Sequence, residues 1–255
     1  MSSTNIKHFE VYPNHGLVKE RVKPISKLLY KIIPRHTFLP FYYELYLFRV
    51  RLFSGGEKKK YIGAKNLKVN IGCGPKGKQG WVNVDAFPAP GVNCIVDSRK
   101  SLPFPDNSVQ MIFCEHFFEH VDYTEEAPHF ISECYRVLQP GGVLRIIVPD
   151  IEIYLRGYFE KDWETLKKAR PLDDNHNDVY MKCPYANKME LVNVVFRQGF
   201  EHRYAYDYEN MEHVLKRFGF PKVVRQTFGQ SLIQELAIDS PERASESLYA
   251  EAQKL

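Results

Sequence analysis

A glycine-rich turn between two short apolar runs constrains this sequence more than any other feature. The stretch Val69–Asp85 predicts a buried strand, a turn at Gly72, Gly74 and Pro75, and a second strand that ends in an acid. Glycine lets the backbone approach a ligand closely, and open α/β sheets bind ligands at the carboxyl ends of their strands. A carboxylate at Asp85 can accept from both hydroxyls of a ribose, so the stretch predicts a nucleoside-containing cofactor. The alternative for Asp85 is an ordinary helix-capping or surface acid.

The spacing of the turn argues against a dinucleotide. Gly72, Gly74 and Gly77 match GxGxxG, but that fingerprint needs a helix in the turn and an acid about 20 residues further on. Here Asp85 follows Gly77 by eight residues, which leaves no room for a helix. The loop also lacks the GK[ST] of a P-loop. A phosphate-free cofactor built from adenosine and an amino acid fits better.

Length and composition indicate one α/β domain with attachments. The chain has 255 residues, of which 44% are hydrophobic, and no apolar run approaches the ~20 residues of a membrane span. The first residues lack the apolar core of a secretory signal, so we expect a cytoplasmic protein. The five cysteines form no CxxC pair, which favours buried free thiols and makes zinc unlikely. The cluster 173–178 is interpreted as a solvated loop, and no metal site is expected.

The basic charge is confined to the N-terminal part. Residues 1–66 hold 13 Lys/Arg and 4 Asp/Glu, a balance of +9, within a net charge of +4. We expect a basic helical segment over residues 1–60, with an amphipathic helix over residues 25–33 and a second helix over Phe41–Phe53. The second helix is apolar nearly all round, so it could pack on the main domain, on a second subunit or shallowly on a membrane surface. The polar run Ser54–Lys60 predicts a flexible linker and the domain boundary.

Residues 61–255 predict a mostly parallel sheet with intervening helices. Further strands are expected over residues 92–97, 109–116, 143–150, 222–228 and 247–253. A helix follows residue 124 and should be ended by Gln139–Gly142, and another should be capped by Asp207. Residues 151–200 show no strong pattern and are long for a connection, which indicates a lid or substrate-binding insertion.

These features in order resemble the class I S-adenosylmethionine-dependent methyltransferases. The resemblance rests on GxGxP, the two acid-ended strands, LPFPDNS, EHFFEHV, RVLQPGG and VPD between residues 67 and 149. It extends to FEHRYAYD at residues 200–207 and to the closing strand. The similar group is bacterial and is often found near polysaccharide glycosyltransferases. The resemblance implies a Rossmann-like fold with a seven-stranded sheet and helices on both faces, and S-adenosyl-L-methionine as cofactor.

The resemblance also implies roles for individual residues. It places the methionine part of the cofactor on the turn at Cys73, the ribose on Asp85 and the adenine amine near Asp97. Glu115 or His116 should face the sulfonium and the acceptor. The expected cofactor-binding residues are Asn70, Gly72, Cys73, Gly74, Pro75, Asp85, Ala86, Asp97, Ser98, Glu115 and His116. Asp97 before Ser98 is also ordinary turn chemistry.

Candidate catalytic residues follow from the need for a base beside a hydroxyl acceptor. His116 ranks first, and His202 is the second candidate, with Tyr204 and Tyr206 beside it. The alternatives are that His116 orders the cofactor loop and that His120 caps the following turn.

The expected function is methyl transfer to an oxygen nucleophile, such as a hydroxyl of a sugar or another small molecule. One alternative is a cofactor-binding module without catalysis in a glycan-synthesis complex. The other is a nucleic-acid methyltransferase, although the [DN]PP[YF] sequence of amino-methylating enzymes is absent after the fourth strand. The N-terminal helices leave peripheral membrane contact and a homodimer open.

Overall fold

The computed structural model describes residues 33–179 and 183–255. The irregular segment expected over residues 1–16 and nearly all of the helix expected over 25–33 lie outside them. The described helices are α1 (Arg35–Phe53), α2 (Gly55–Lys60), α3 (Ala127–Val137), α4 (Ile151–Phe159), α5 (Glu164–Ala169), α6 (Lys188–Arg197) and α7 (Tyr208–Arg217). The strands are β1 (Leu67–Ile71), β2 (Val82–Asp85), β3 (Cys94–Ile95), β4 (Val109–Glu115), β5 (Leu138–Pro149), β6 (Asn177–Asp178), β7 (Cys183–Pro184), β8 (Lys222–Gln226) and β9 (Ser247–Gln253). Short 3-10 helices lie at Phe118–His120, Gln234–Leu236 and Pro241–Arg243.

Seven strands form one sheet in the order β3-β2-β1-β4-β5-β9-β8. The first five are parallel, and β9 runs antiparallel between β5 and β8. The chain runs from β1 at the centre outward through β2 to β3 at one edge. It then returns to the centre at β4 and continues outward to the other edge, as in doubly wound α/β folds. The expectation of a mostly parallel seven-stranded sheet in a Rossmann-like methyltransferase fold is confirmed.

The central strands are buried on both faces, which explains their continuous apolar sequences. In β4, Ile112 and Cys114 belong to one apolar cluster, while Met111 and Phe113 belong to another. Helix α3 buries one stripe against the first cluster: Ala127, Phe130, Ile131, Cys134 and Val137. Helix α7 is capped as expected, because the Asp207 carboxylate accepts from the backbone N–H of Asn210 at 2.8 Å.

The expectation of a flexible linker over Ser54–Lys60 was wrong, whereas the helix that Gln139–Gly142 should end does stop directly before that run. Residues Gly55–Lys60 form the short helix α2 in place of a flexible linker. Helix α3 ends at Val137, and the run Gln139–Gly142 lies in the irregular start of β5, where the pairing with β4 shifts register. The glycines at 55 and 56 thus begin a helix that buries no side chain, and β5 begins at Leu138, earlier than the expected start at Val143.

The region 151–200 is more regular than its sequence indicated. Helices α4, α5 and α6 share a small apolar core of their own with Tyr185, which follows β7: Ile151, Tyr154, Leu166, Ala169, Tyr185, Leu191, Val194 and Val195. Within it Asp173 accepts hydrogen bonds from the backbone of Asn175 and Asn177, as a turn residue does.

Across residues 33–179 and 183–255, no helix has the length and apolarity that crossing a membrane requires. Helix α1 has one apolar row exposed, formed by Phe41, Leu45, Phe48 and Leu52.

The outer part of the sheet is held by a fully buried cation. The guanidinium of Arg145 on β5 donates to both carboxylate oxygens of Asp239, at 2.8 and 2.6 Å, and to Glu251 on β9 at 2.8 Å. All three side chains are at most 1% exposed. Two buried carboxylates therefore depend on one guanidinium.

We expect Arg145→Met to lower the free energy of unfolding by about 3–5 kcal/mol, because it leaves two buried carboxylates without their cation. Arg156→Met is the matched control. Arg156 pairs with Glu152 on the surface at 64% exposure, so its loss should change stability by less than about 1 kcal/mol. Urea unfolding of both variants measures the difference, and equal effects would contradict a special role for Arg145.

Candidate cofactor-binding site

The register of β1 against its two neighbours places the expected site residues at one edge of the sheet. Ile71, the last residue of β1, pairs with Val84 on one side and with Cys114 on the other. The residues that follow these three positions are Gly72, Asp85 and Glu115. The carboxyl ends of β1, β2 and β4 are therefore level, and they form the edge where such sheets bind ligands.

The glycine turn is tied to β2 by its own backbone. Gly72 and Cys73 donate to the carbonyl of Val84 at 2.9 and 3.2 Å, and Gly74 donates to the Asp85 carboxylate at 2.9 Å. Both glycines have left-handed backbones, with φ of 68° at Gly72 and 47° at Gly74. Cys73 between them is buried.

The two glycines differ in their surroundings. A Cβ at Gly72 would lie 2.5 Å from the Cβ of Phe117, whereas a Cβ at Gly74 would meet nothing within 4 Å. Gly72 is therefore required by packing, and Gly74 borders open space beside Asp85. Pro75 follows in an exposed position.

Asp85 ends β2 with its carboxylate turned toward this turn. One oxygen accepts from Gly74 and the other from the backbone of Phe87 at 2.8 Å. Burial raises the pKa of Asp85 above its usual value, and the backbone hydrogen bonds from Phe87 and Gly74 oppose that rise. A carboxylate offers about four lone-pair positions, so each oxygen retains one for a ligand hydroxyl. This geometry suits the ribose role expected for Asp85.

A pair of asparagines fixes the turn from below. Asn70 on β1 donates to Asn83 on β2 at 3.1 Å, and the same Asn83 oxygen accepts from the backbone of Lys78 at 2.8 Å. The Asn83 amide in turn donates to the carbonyl of Lys78. The contact that Asn70 makes here is structural, and its expected contact with the cofactor stays a prediction. The sequence patterns did not single out Asn83. The feature that could have indicated it is that β1 and β2 each carry an asparagine between two apolar residues.

Asp97 lies beyond β3 in a closed cluster of charges. Its carboxylate accepts from Arg99 at 2.9 and 3.0 Å and from Arg51 on α1 at 2.7 Å, and its side chain is 2% exposed. Arg99 also donates to Glu44 of α1 at 2.9 Å. The adenine role of Asp97 and of the buried Ser98 stays a prediction. Sequence patterns did not reveal that two arginines engage this carboxylate.

Helix α1 packs on the same edge through aromatic side chains. Tyr46 stacks on Phe87 with ring centroids 4.6 Å apart and donates its hydroxyl to the carbonyl of Ala86 at 3.2 Å. Tyr43 contacts the same ring at 5.3 Å. Burial raises the pKa of Tyr43 to about 12, so its hydroxyl stays protonated at neutral pH. The inner face of α1 thus covers the residues around Asp85 and Asp97.

Glu115 and His116 follow β4 and are both engaged by the closing part of the chain. The Glu115 carboxylate accepts from the backbone and the hydroxyl of Ser240, at 2.8 and 2.5 Å. The His116 ring contacts Glu119 through Nδ1 at 3.1 Å and Ser247 through Nε2 at 3.0 Å. Both nitrogens of His116 therefore have partners. This favours the alternative in which His116 orders the loop after β4. The catalytic role remains a prediction.

His202 lies beside the same loop, next to His120. Their rings meet edge to face with centroids 4.9 Å apart. Burial lowers the pKa of His202 to about 4, so the ring is neutral at physiological pH. Burial opposes ionisation of the nearby Glu119, but its hydrogen bond and charge interaction with His116 prevail and lower its pKa to about 2. Sequence reasoning proposed His202 and did not include Glu119.

Part of the chain is similar in sequence to known methyltransferases. Residues 70–146 match the family model described as a methyltransferase domain, Methyltransf_11. A Mycolicibacterium smegmatis protein described as a probable S-adenosylmethionine-dependent methyltransferase is 34% identical over 61 residues, 24% of this chain and 23% of that protein. The malonyl-[acyl-carrier protein] O-methyltransferase of Methylococcus capsulatus is 41% identical over 56 residues, 22% of this chain and 19% of that protein. Each match spans less than a quarter of the curated relative's length.

Solved structures with similar folds are also named as methyltransferases. An S-adenosylmethionine-dependent methyltransferase from Archaeoglobus fulgidus aligns over 93% of this chain and 98% of its own, with a TM-score of 0.42 and 16% identity. One from Mesorhizobium loti aligns over 75% of this chain and 92% of its own, with a TM-score of 0.42 and 17% identity.

The sheet and the sequence matches together define a Rossmann-like methyltransferase fold. Residues 70–146 match a methyltransferase domain, and they form part of the parallel half of this sheet. This stretch contains the glycine turn, Asp85, Asp97 and the loop after β4.

The two turn glycines provide a matched pair of substitutions. We expect Gly74→Ala to lower the free energy of unfolding by about 1–2 kcal/mol, the strain of a left-handed backbone. Gly72→Ala carries the same strain and also overlaps Phe117, so its effect should be clearly larger. Urea unfolding measures both, and an equal loss would show that the Phe117 contact relaxes freely.

The arginine pair around Asp97 predicts a pH dependence of stability. Burial opposes ionisation of Asp97, but the hydrogen bonds and charges of Arg99 and Arg51 outweigh it and lower the pKa. An acid with a lowered folded pKa stabilises the fold above its unfolded pKa of about 3.9, and this contribution is lost as the pH falls through the folded pKa. Asp97→Asn should therefore lower the free energy of unfolding at neutral pH. This loss should become smaller as the pH falls below about 3.9, where Asp97 in the unfolded wild type becomes protonated. Urea unfolding across pH tests this, and a constant difference would contradict it.

Proposed function

We propose that this protein is an S-adenosylmethionine-dependent methyltransferase that methylates an oxygen nucleophile, a hydroxyl of a sugar or another small molecule. The observation that carries the proposal is the Asp85 carboxylate at the carboxyl end of β2, which accepts from the backbone of Gly74, a residue whose Cβ position borders open space. The methyltransferase domain over residues 70–146 includes both residues. The O-methyltransferase from M. capsulatus supports an oxygen acceptor, although its match covers 22% of this chain.

The residues at the strand ends fit an adenosyl cofactor. In the proposal the ribose hydroxyls donate to Asp85, the amino-acid part lies along the turn Gly72–Gly74, and the adenine lies toward Asp97. The inner face of α1, with Tyr43 and Tyr46, supports this placement because it closes the adenosine side from solvent. Exclusion of water strengthens the polar contacts within such a site.

The cofactor supplies a methyl group on a sulfonium, which is already a good leaving group. What remains for the protein is to hold the acceptor in line and to exclude water. The acceptor oxygen loses its proton during the transfer, so a neutral imidazole beside it assists. The histidines after β4, with His202 from the segment before α7, place imidazoles at this edge. His116 and His202 remain our candidates for catalysis.

A glycan acceptor and a cytoplasmic location complete the proposal. Their support is the similarity of the motifs to the bacterial group described above. The basic N-terminal part also fits contact with an anionic membrane surface, where a lipid-linked glycan would be found. A homodimer through the exposed row on α1 is the other arrangement that this part allows.

Calorimetric titration with S-adenosylhomocysteine tests cofactor binding directly. We expect the wild type to bind, and Asp85→Asn to weaken binding at least about tenfold, because the two ribose hydrogen bonds to a charged acceptor are worth at least about 1.4 kcal/mol together. Asp106→Asn is the matched control, since Asp106 lies at 71% exposure in the turn before β4. No binding by the folded wild type would end the proposal.

Formation of S-adenosylhomocysteine in the presence of candidate acceptors tests catalysis. Turnover with hydroxyl compounds is expected, with His116→Gln and His202→Gln assayed for a fall in kcat. Cofactor binding without turnover on any acceptor would favour the non-catalytic module. Salt-sensitive binding to RNA or DNA that disappears on deletion of residues 1–32 would favour the nucleic-acid enzyme.

A further inference from the structure

Three polar side chains from two distant segments meet beside the loop that follows β4. Glu119, His120 and His202 each present one potential ligand atom, and these atoms all lie within 4.8 Å of one another. The backbone fixes the meeting, because the carbonyl of Glu119 accepts from Arg203 at 2.8 Å and from Tyr204 at 3.2 Å. Backbone hydrogen bonds therefore hold the two segments together, so the proximity of the three side chains does not depend on their orientation alone.

Both histidines are oriented by a backbone carbonyl. His120 contacts the carbonyl of Glu201 through Nδ1 at 3.1 Å, and His202 contacts the carbonyl of Val195 through Nδ1 at 2.6 Å. A carbonyl can only accept, so Nδ1 carries the proton in each ring and Nε2 carries the lone pair. Metal-binding histidines are held in this way by a second partner that fixes the tautomer.

The carboxylate of the cluster has one oxygen without a partner. Glu119 is 2% exposed, and its Oε2 atom is buried without any hydrogen-bond partner among the described residues. The other oxygen, Oε1, contacts His116 at 3.1 Å. A buried carboxylate oxygen without a partner costs free energy, which a bound cation or a hydrogen-bond donor would offset.

We propose that Glu119, His120 and His202 bind one divalent transition-metal ion, with Zn²⁺ as the representative. Two imidazoles and one carboxylate are a known ligand set for zinc and for non-haem iron, and three protein ligands leave a coordination position open. Nitrogen ligands disfavour Mg²⁺ and Ca²⁺, which prefer oxygen. Ligand atoms about 2.0–2.2 Å from such an ion lie within about 4 Å of one another, which is compatible with the 4.8 Å limit on the separations in this cluster.

The site lies at the edge where the proposed acceptor would approach. Glu119 and His120 form the 3-10 helix that follows Phe117, and Phe117 contacts Gly72 of the cofactor turn. The open position can therefore hold water or an oxygen of a bound molecule. This inference goes beyond the proposed function, because metal binding requires neither cofactor nor acceptor. In the metal-bound protein His202 has no lone pair left to accept a proton, so His116 is then the remaining candidate base.

The test uses untagged full-length protein that has been stripped with a chelator, without S-adenosylmethionine. Calorimetric titration with ZnCl₂ should show one strong site per chain. Glu119→Gln and His202→Gln should each weaken that site at least about tenfold, since even loss of an outer-shell partner of a metal ligand typically costs about 10–100-fold in affinity. Visible absorption after addition of Co²⁺ gives an independent reading, because the spectrum reports nitrogen coordination and not activity.

His213→Gln is the matched control, since His213 lies exposed on α7 away from the cluster and its loss should change nothing. Circular dichroism verifies that each variant is folded, and His120→Gln replaces Glu119→Gln if that variant is not. Absence of zinc binding to the folded wild type would overturn the proposal. Binding that all variants share, His213→Gln included, would also overturn it and would indicate adventitious surface histidines.

Discussion

The candidate site depends on the parallel alignment of β1 between β2 and β4. Ile71 pairs with Val84 and Cys114 at once, so three chain reversals occur at the same level of the sheet. A shift of one residue in either pairing would turn the alternating side chains to the other face. The turn, Asp85 and the loop after β4 can act on one molecule only because this register is kept. The paired asparagines at 70 and 83 reinforce it at the buried end of the turn.

Buried charges then attach the remaining parts to this centre. Asp97 links β3 to α1 through Arg51 and Arg99, and Arg145 links β5 and β9 to Asp239. Removing one partner from a buried pair is strongly destabilising, whereas a surface pair contributes little. The inner side of α1 is thus attached to the sheet by ion pairs to Asp97 and Arg99 and by the aromatic contact of Tyr46 with Phe87. Its exposed apolar row remains available for the proposed dimer or membrane contact.

The sequence predicted the parts whose signals are local. Apolar runs ended by glycine or acid located β1, β2 and β4, and Asp85 was placed at a strand end by counting residues. Helices α4–α6 were not found, because their apolar core forms only when segments from Ile151 to Val195 come together. Glu119 and His202 are far apart in the chain, so no spacing rule could unite them. The histidines in EHFFEH and EHR were the only hint, and the sequence favoured no metal there.

Cys73 in the cofactor turn has a consequence for the redox chemistry of the protein. Burial raises the pKa of its thiol to about 12, with the charge of Asp85 adding to the effect. The thiolate is the form that reacts with peroxide and with disulfides, and it is scarce here at neutral pH. Burial does the same for Cys94, whose pKa also rises to about 12. The glycine turn therefore carries a buried sulfur atom whose low thiolate fraction disfavours oxidation only as long as the surrounding packing is kept.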